Sequence, residues 1–423
     1  MNYKKENLKQ GITFHKINTN KFKTNLFAVF LTTKLDRENI TKNALLTAVL
    51  RRGTKNLTSQ EEISKSLENM YGASFDCGVE KTGDNHVMKF YMESINNEFL
   101  PSNENLSKEC MEILLDIVFN PYTENDSFKQ EYVDGEKENL KQIIQGKIDN
   151  KAKYAFDRCI EEMYKNEPYG LYKYGYIEDL DRIDAHNLYE YYLELIKNVK
   201  IDIFASGDIS EQIVEELKEN ETIRALAERN PDYNENKENE PKAKIDEPQV
   251  VSESMQITQG KLILGLDVLK NQKECKYWTS VYNVILGGSA NSKMFQNVRE
   301  KASLAYTAGS NYLRQKDNIF IKCGIDIPNY DKAVELIKEQ LKQMENGDFT
   351  EEDINNAKTL ISATVGSIPE TQDSEITYYF SQELSNEFIS IEDYLKKINE
   401  VTKDQIVDIA KNVQINTIYF LKD

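Results

Sequence analysis

The imidazole inventory of this chain is three histidines, His15, His86 and His186, standing 71 and 100 residues apart. No local pair at helical spacing can therefore grip a metal ion. The five cysteines, Cys77, Cys110, Cys159, Cys275 and Cys323, are never closer than 33 residues. That rules out a zinc-ribbon spacing and a CxxC redox pair. An odd number of scattered thiols in a long chain reads as free, buried cysteines in a reducing compartment. There is no Gly-x-Ser-x-Gly elbow, Walker loop or Gly-x-Gly-x-x-Gly fingerprint. Asp and Glu abound, but such runs ordinarily form a solvated face rather than an acid–base pair. The one glycine pair, Gly287-Gly288, follows an apolar helical stretch instead of preceding one, so it is not a phosphate cradle. It reads either as a helix stop or as a loop that another backbone approaches closely.

Charge narrows the classes further. Of 423 residues, 53 are Lys or Arg and 71 are Asp or Glu, a net charge of −18. A nucleic-acid binder needs a basic patch to neutralise phosphates, and an anionic membrane surface repels such a chain. The N-terminal stretch MNYKKENLKQGITFHKI has no apolar signal core. The longest uninterrupted apolar run, Leu26 to Leu31, is far short of the roughly 20 residues a membrane span needs. The expectation is a soluble, cytoplasmic protein without nucleic-acid or membrane partners.

The elements that must position any chemistry fall into two similar halves. The polar stretch Glu228 to Pro248 carries three of the eight prolines and few aliphatic side chains, which marks a linker. It separates residues 1–227 from 249–423. NALLTAVLRRGTKN around Leu45 is echoed by SVYNVILGGSANS around Val284. DNHVMKFYM from Asp84 is echoed by DNIFIKCGI from Asp317. Gly53 to Gly287 is an offset of 234 and Asp84 to Asp317 one of 233, so an internal duplication is expected. Helices are expected over 125–148 and 153–164, and again over 351–365 and 374–384. Capping pairs Ser59 with Glu62 and Thr402 with Gln405 mark helix starts. The fold class is α+β: two homologous domains, each a mostly antiparallel sheet packed against helices.

The segment ILGGSANSKMFQNVREKASLAYTAGS, Ile285 to Ser310, resembles the C-terminal signature of the M16 zinc peptidases, the pitrilysin and mitochondrial processing peptidase relatives. Gly287, Gly288, Phe295, Val298, Arg299, Glu300, Leu304, Ala305 and Tyr306 carry the resemblance, which extends over nearly the whole chain. It implies two M16-type domains, with the family's zinc motif, His-x-x-Glu-His, on a helix of the first. Anchored on Gly53-Thr54, that motif falls on Ala44-Leu45-Leu46-Thr47-Ala48. Both histidine positions are alanine and the base position is threonine. The third-ligand region lies near Glu138 to Ile143, with Gln142 the best-fitting position. The resemblance thus implies a member that has lost its metal, and no catalytic residue or cofactor is expected in this chain. It also implies a substrate-binding role for Arg299 and Tyr306, beside Gly287 and Gly288: in the family they reach the catalytic half's site and hold the peptide backbone. A forked guanidinium and a phenol are apt donors for a carbonyl or oxyanion.

Several bacterial M16 systems divide the work between two chains, one with His-x-x-Glu-His and one without. The leading expectation is therefore a non-catalytic subunit of a heterodimeric zinc peptidase, with zinc in the partner and a peptide as substrate. The alternative is a catalytically inert binding or scaffold protein with the same fold. A third reading, an active peptidase with a relocated metal site, has no sequence support. A homodimer of the isolated chain is compatible with the sequence. An acidic inner surface would favour basic peptides.

Overall fold

The computed structural model describes residues 2–101, 104–233 and 242–423. It contains two compact units. The first comprises Met1–Gln145, Leu171–Glu235 and Pro369–Ser385; the second comprises Gly146–Gly170, Asn236–Ile368 and Asn386–Asp423. The units are thus not the contiguous blocks 1–227 and 249–423. Each takes one helical segment from the other half of the sequence. Part of the expected linker, residues 234–241, lies outside the described residues.

In the first unit the strands are β1 (Tyr3–Lys9), β2 (Ile12–Asn18), β3 (Thr24–Lys34), β4 (Ser74–Thr82) and β5 (Asn85–Ile95). A two-residue hairpin, β6 (Thr123–Glu124) and β7 (Ser127–Phe128), and β8 (Lys200–Gly207) complete it. The second unit holds β9 (Gln249–Ser254), β10 (Gly260–Val268), β11 (Ala305–Leu313), β12 (Asn318–Ile325) and β13 (Val413–Lys422). The sheet orders are β1-β2-β8-β3-β5-β4 and β11-β12-β10-β13-β9. Reversing the second gives β9-β13-β10-β12-β11, which matches the first strand for strand once β1 is set aside. β2 pairs with β8 in parallel and β9 with β13 in parallel, while the other pairs are antiparallel. The duplication read from two landmarks therefore extends to the whole topology, and the α+β class holds.

The apolar run Leu26–Leu31 is the centre of β3, buried on both faces. Side chains alternate along a strand. Phe27, Val29 and Leu31 join the core beneath the helices Ile40–Leu50 and Leu106–Phe119. Leu26, Ala28 and Phe30 face a second core with Ile376, Tyr379, Phe380 and Leu384 of the helix Gln372–Ser385. The Phe30 and Phe380 rings meet edge to face at 4.7 Å. Glu383 of the same helix pairs with Lys5 at 2.9 Å and Lys200 at 3.5 Å. In the second unit the helix Lys151–Met163 plays the equivalent part. Phe156 meets Phe320 at 5.1 Å, and Gly265 of β10 leaves room for the Met163 sulfur, which a Cβ there would meet at 2.8 Å. A two-sided sheet explains why these strands read as continuous apolar runs rather than alternating ones.

Most expected helices appear where the pattern placed them, with one correction. The helix expected from Asn125 begins only at Gln130. Asn125 and Asp126 adopt left-handed φ of 51° and 55° and form the turn of the β6–β7 hairpin. Asn and Asp tolerate that conformation, which a two-residue hairpin demands. Thr402 and Gln405 form the complete capping box. Ser59 caps its helix through the Glu62 amide, but the Glu62 carboxylate turns to the Thr58 amide instead.

Candidate functional site

The helix Ile40–Leu50 holds the positions of the expected zinc motif, Ala44, Thr47 and Ala48. Ala44 is buried, Ala48 half-buried, and neither has a donor atom. The Thr47 hydroxyl is consumed by the Asn43 carbonyl of the preceding turn at 2.8 Å. β4 crosses this helix, and the Cys77 thiol donates to the Thr47 carbonyl at 3.6 Å. Burial pushes that thiol up to about 12, so it stays protonated and is a poor metal ligand. Gln142 lies on the helix Gln130–Gln145 and is exposed. The buried carboxylate of that helix is Glu136, which accepts from Arg52, just past the Ile40–Leu50 helix, at 3.0 Å. Sequence reasoning missed Glu136, because one Glu among many on a charged helix carries no periodic signal that singles it out.

One histidine does sit beside this helix. His86, fully buried on β5, takes a hydrogen bond at Nδ1 from the Asn43 amide at 3.2 Å. Its Nε2 donates to the Lys173 carbonyl at 2.9 Å. Asn43 also receives the Tyr191 hydroxyl at 2.6 Å and donates to Thr33 at 3.2 Å. Both ring nitrogens are occupied, and burial lowers the imidazole to about 4, so it is held neutral. His15 is likewise buried, between the Tyr3 hydroxyl at 2.8 Å and Asp202 at 3.0 Å. His186 lies on the first turn of the helix Ala185–Asn198, 3.5 Å from Glu190. Among the described residues no group of three His, Cys, Asp or Glu is placed to hold a metal ion. The residues at the motif positions do not fit zinc.

Beside β4 lies an open groove of about 420 Å³, lined by Asp76, Cys77, Glu80, Lys89, Lys173 and Asp373 among others. Its charges are mixed and locally paired, as between Lys89 and Glu80.

The motif of the second unit is built differently. The helix Cys275–Asn283 widens into a π-helical turn, Val284–Gly288, and a second π-helix spans Met294–Lys301. Such wide turns are rare and recur at functional sites. Gly287 is buried where this turn meets β11. A Cβ there would lie 2.5 Å from the Ser310 amide nitrogen, and one on Gly309 would lie 3.1 Å from the Gly287 carbonyl. Both readings of the glycine pair therefore hold at once: the helix stops, and another backbone comes close. Gly288 is exposed.

Met294, Val298 and Ala305 anchor the motif in the core, while Arg299 and Tyr306 face outward. Arg299 lies 4.3 Å over the Phe295 ring and 3.5 Å from Glu300, on a half-exposed side chain. Ser303, at φ 50°, turns the chain from the π-helix into β11. There the register slips between Ala305 and Thr307, so that Tyr306 is the extra residue of a β-bulge. A bulge re-aims its side chain. Tyr306 is 60% exposed, its hydroxyl 3.2 Å from Asp326. It is not a core tyrosine. β11 is also the edge of its sheet.

Against known proteins, a family profile described as "Peptidase M16 inactive domain" matches residues 182–361. The "Probable inactive metalloprotease YmfF" of Bacillus subtilis is 36% identical over 418 residues, spanning 97% of this chain and 96% of that protein. A conserved protein from Enterococcus faecalis superposes with a TM-score of 0.90 at 26% identity, covering 100% of this chain and 99% of the other. A peptidase M16 inactive domain from Pseudomonas fluorescens shares the fold with a TM-score of 0.77 at 17% identity, covering 100% and 98%.

Proposed function

The chain belongs to the M16 peptidase family as an inactive member, and from that membership we propose that it is the non-catalytic subunit of a heterodimeric M16 zinc metallopeptidase. The partner carries His-x-x-Glu-His and the zinc. This chain contributes Arg299 and Tyr306 to the partner's peptide site, next to the exposed Gly288 backbone. The observation that carries the reading is an asymmetry between the two motifs. Of the zinc-motif positions, Ala44 and Ala48 have no donor atom and Thr47 is bonded to its own helix, whereas Arg299 and Tyr306 are outward-facing. A guanidinium resting on an aromatic face and a phenol on a bulge are held in place without being consumed by a buried partner. Both can then donate to a peptide carbonyl whose oxygen gains charge during hydrolysis. Catalysis itself requires the partner.

The test is reconstitution. The purified chain is mixed with an M16 chain bearing His-x-x-Glu-His from the same genome, and cleavage of an unfolded peptide is followed. The reading predicts a stable heterodimer and hydrolysis that neither chain achieves alone. A complex without gain of activity points instead to the inert scaffold.

A further inference from the structure

The first unit carries a second open groove, of about 720 Å³, that has no part in the reading above. Its floor is one face of the helix Ala185–Asn198, where Tyr189, Tyr192, Leu193 and Ile196 recur at helical spacing. Leu193 is 43% exposed, an unusual position for a leucine amid aromatic neighbours. Three cations line the same groove: Lys55, Lys197 and Arg229. None of the fifteen lining residues is Asp or Glu. Yet 71 of the chain's 423 residues, about one in six, are acidic. The Tyr122 hydroxyl on the groove wall donates to Glu124 at 3.0 Å.

Arg229 adds a buried positive charge behind the groove wall. It is only 4% exposed, and its guanidinium donates to the carbonyls of Ala227, at 2.6 and 3.0 Å, and of Ile196, at 2.6 Å. No carboxylate pairs with it among the described residues. Backbone carbonyls satisfy its donors but leave its net charge without a carboxylate partner among the described residues. Lys55 and Lys197 make no ion pair among the described residues either. Two exposed lysines without an ion pair, with the buried Arg229 charge behind them, flank an apolar, aromatic floor and form a site for an anion with an apolar body.

We propose that this groove binds an acidic peptide segment carrying an aromatic or large aliphatic anchor. The anchor packs on Tyr189, Tyr192 and Leu193, and flanking carboxylates meet Lys55 and Lys197. The groove is open rather than enclosed, which suits a chain segment passing along it. Against the −18 background, this gives the protein a local preference opposite to its general repulsion of acidic partners.

The test uses the full-length chain and a short fluorescein-labelled peptide of Asp and Glu around one Phe and one Leu, followed by fluorescence polarisation. Saturable binding that weakens with added salt is expected, with no binding of the same peptide carrying Lys in place of each acid. Lys55→Glu/Lys197→Glu should weaken binding by about tenfold or more, and Leu193→Ala severalfold. Both lysines are exposed, so unchanged thermal unfolding of the double variant verifies that its fold is intact. Absence of saturable binding, equal binding of the lysine peptide, or an unchanged double variant would overturn the proposal. No peptidase partner enters this assay, and Arg299 and Tyr306 are untouched, so its failure is separable from failure of the subunit reading.

Discussion

The side-chain amide of Asn43 donates to Nδ1 of His86 across 3.2 Å, one residue ahead of Ala44. With Nε2 committed to the Lys173 carbonyl, this contact makes the histidine beside the Ile40–Leu50 helix a structural group. Burial lowers its proton affinity to about 4 from an ordinary 6.5. Between those values the unfolded chain binds the proton and the folded chain does not, so stability falls as pH drops through that window. Relative to His86→Gln, the wild-type chain should lose about 2–3 kcal/mol between pH 7 and pH 4.5. Urea unfolding of both proteins at the two pH values measures this. A wild-type–variant difference that does not move with pH would contradict it.

The same helix predicts indifference to chelation. Two alanines and a back-bonded threonine offer zinc no donor. Metal analysis after incubation with zinc should find well under one equivalent, and EDTA should leave the melting temperature unchanged. A stoichiometric, chelator-sensitive zinc would revive the relocated-site reading.

Gly287 should tolerate no side chain. In Gly287→Ala the new Cβ meets the Ser310 amide nitrogen at 2.5 Å, its Oγ at 2.6 Å and its Cβ at 2.8 Å, a clash with backbone that a rotamer change cannot relieve. A loss of about 2 kcal/mol or more is expected, in the range of overpacked cores. Gly288→Ala meets the Val284 side chain at 3.2 Å and the Asn283 carbonyl at 3.4 Å, looser contacts that should cost far less. Denaturant unfolding of the pair distinguishes them, and equal effects would argue against the close approach.

The helix Gln372–Ser385, although late in the sequence, should act as part of the first sheet. Phe380→Ala removes a ring packed on Phe30 and Phe204 and should destabilise by about 3–5 kcal/mol. Hydrogen exchange should show lost protection in β3. Full protection of β3 in a folded Phe380→Ala protein would mean the helix is dispensable there.

Much of this was readable from the chain alone, for physical reasons that differ by element. The duplication was visible because equivalent strands keep equivalent turns: Asp84-Asn85 and Asp317-Asn318 open paired strands in both sheets. The motif from Gly287 to Tyr306 was visible because its residue types are unusual together. The exchange of the helices 151–163 and 372–385 between units was not visible, since an amphipathic helix records that it has an apolar face but not which sheet covers it. The β6–β7 turn was hidden because Asn125-Asp126 lies in a charged stretch that suits a helix start equally well. Arg229, read as the beginning of a linker, is buried because the β1–β2 turn meets it. A Cβ on Gly11 would lie 2.4 Å from the Arg229 side chain. Composition at 228–248 reports polarity, not that Arg229 and Lys242 are fastened down.

If this chain lends Arg299 and Tyr306 to another chain's active site, as we propose, the kcat/KM of the reconstituted pair depends on both side chains. With an unlabelled partner carrying His-x-x-Glu-His, Arg299→Ala and Tyr306→Phe should each lower kcat/KM by about 10- to 1,000-fold while the heterodimer still forms. Both side chains are outward-facing, so the variants should fold as the wild type does. Undiminished kcat/KM in both variants, within an intact heterodimer, would contradict the account.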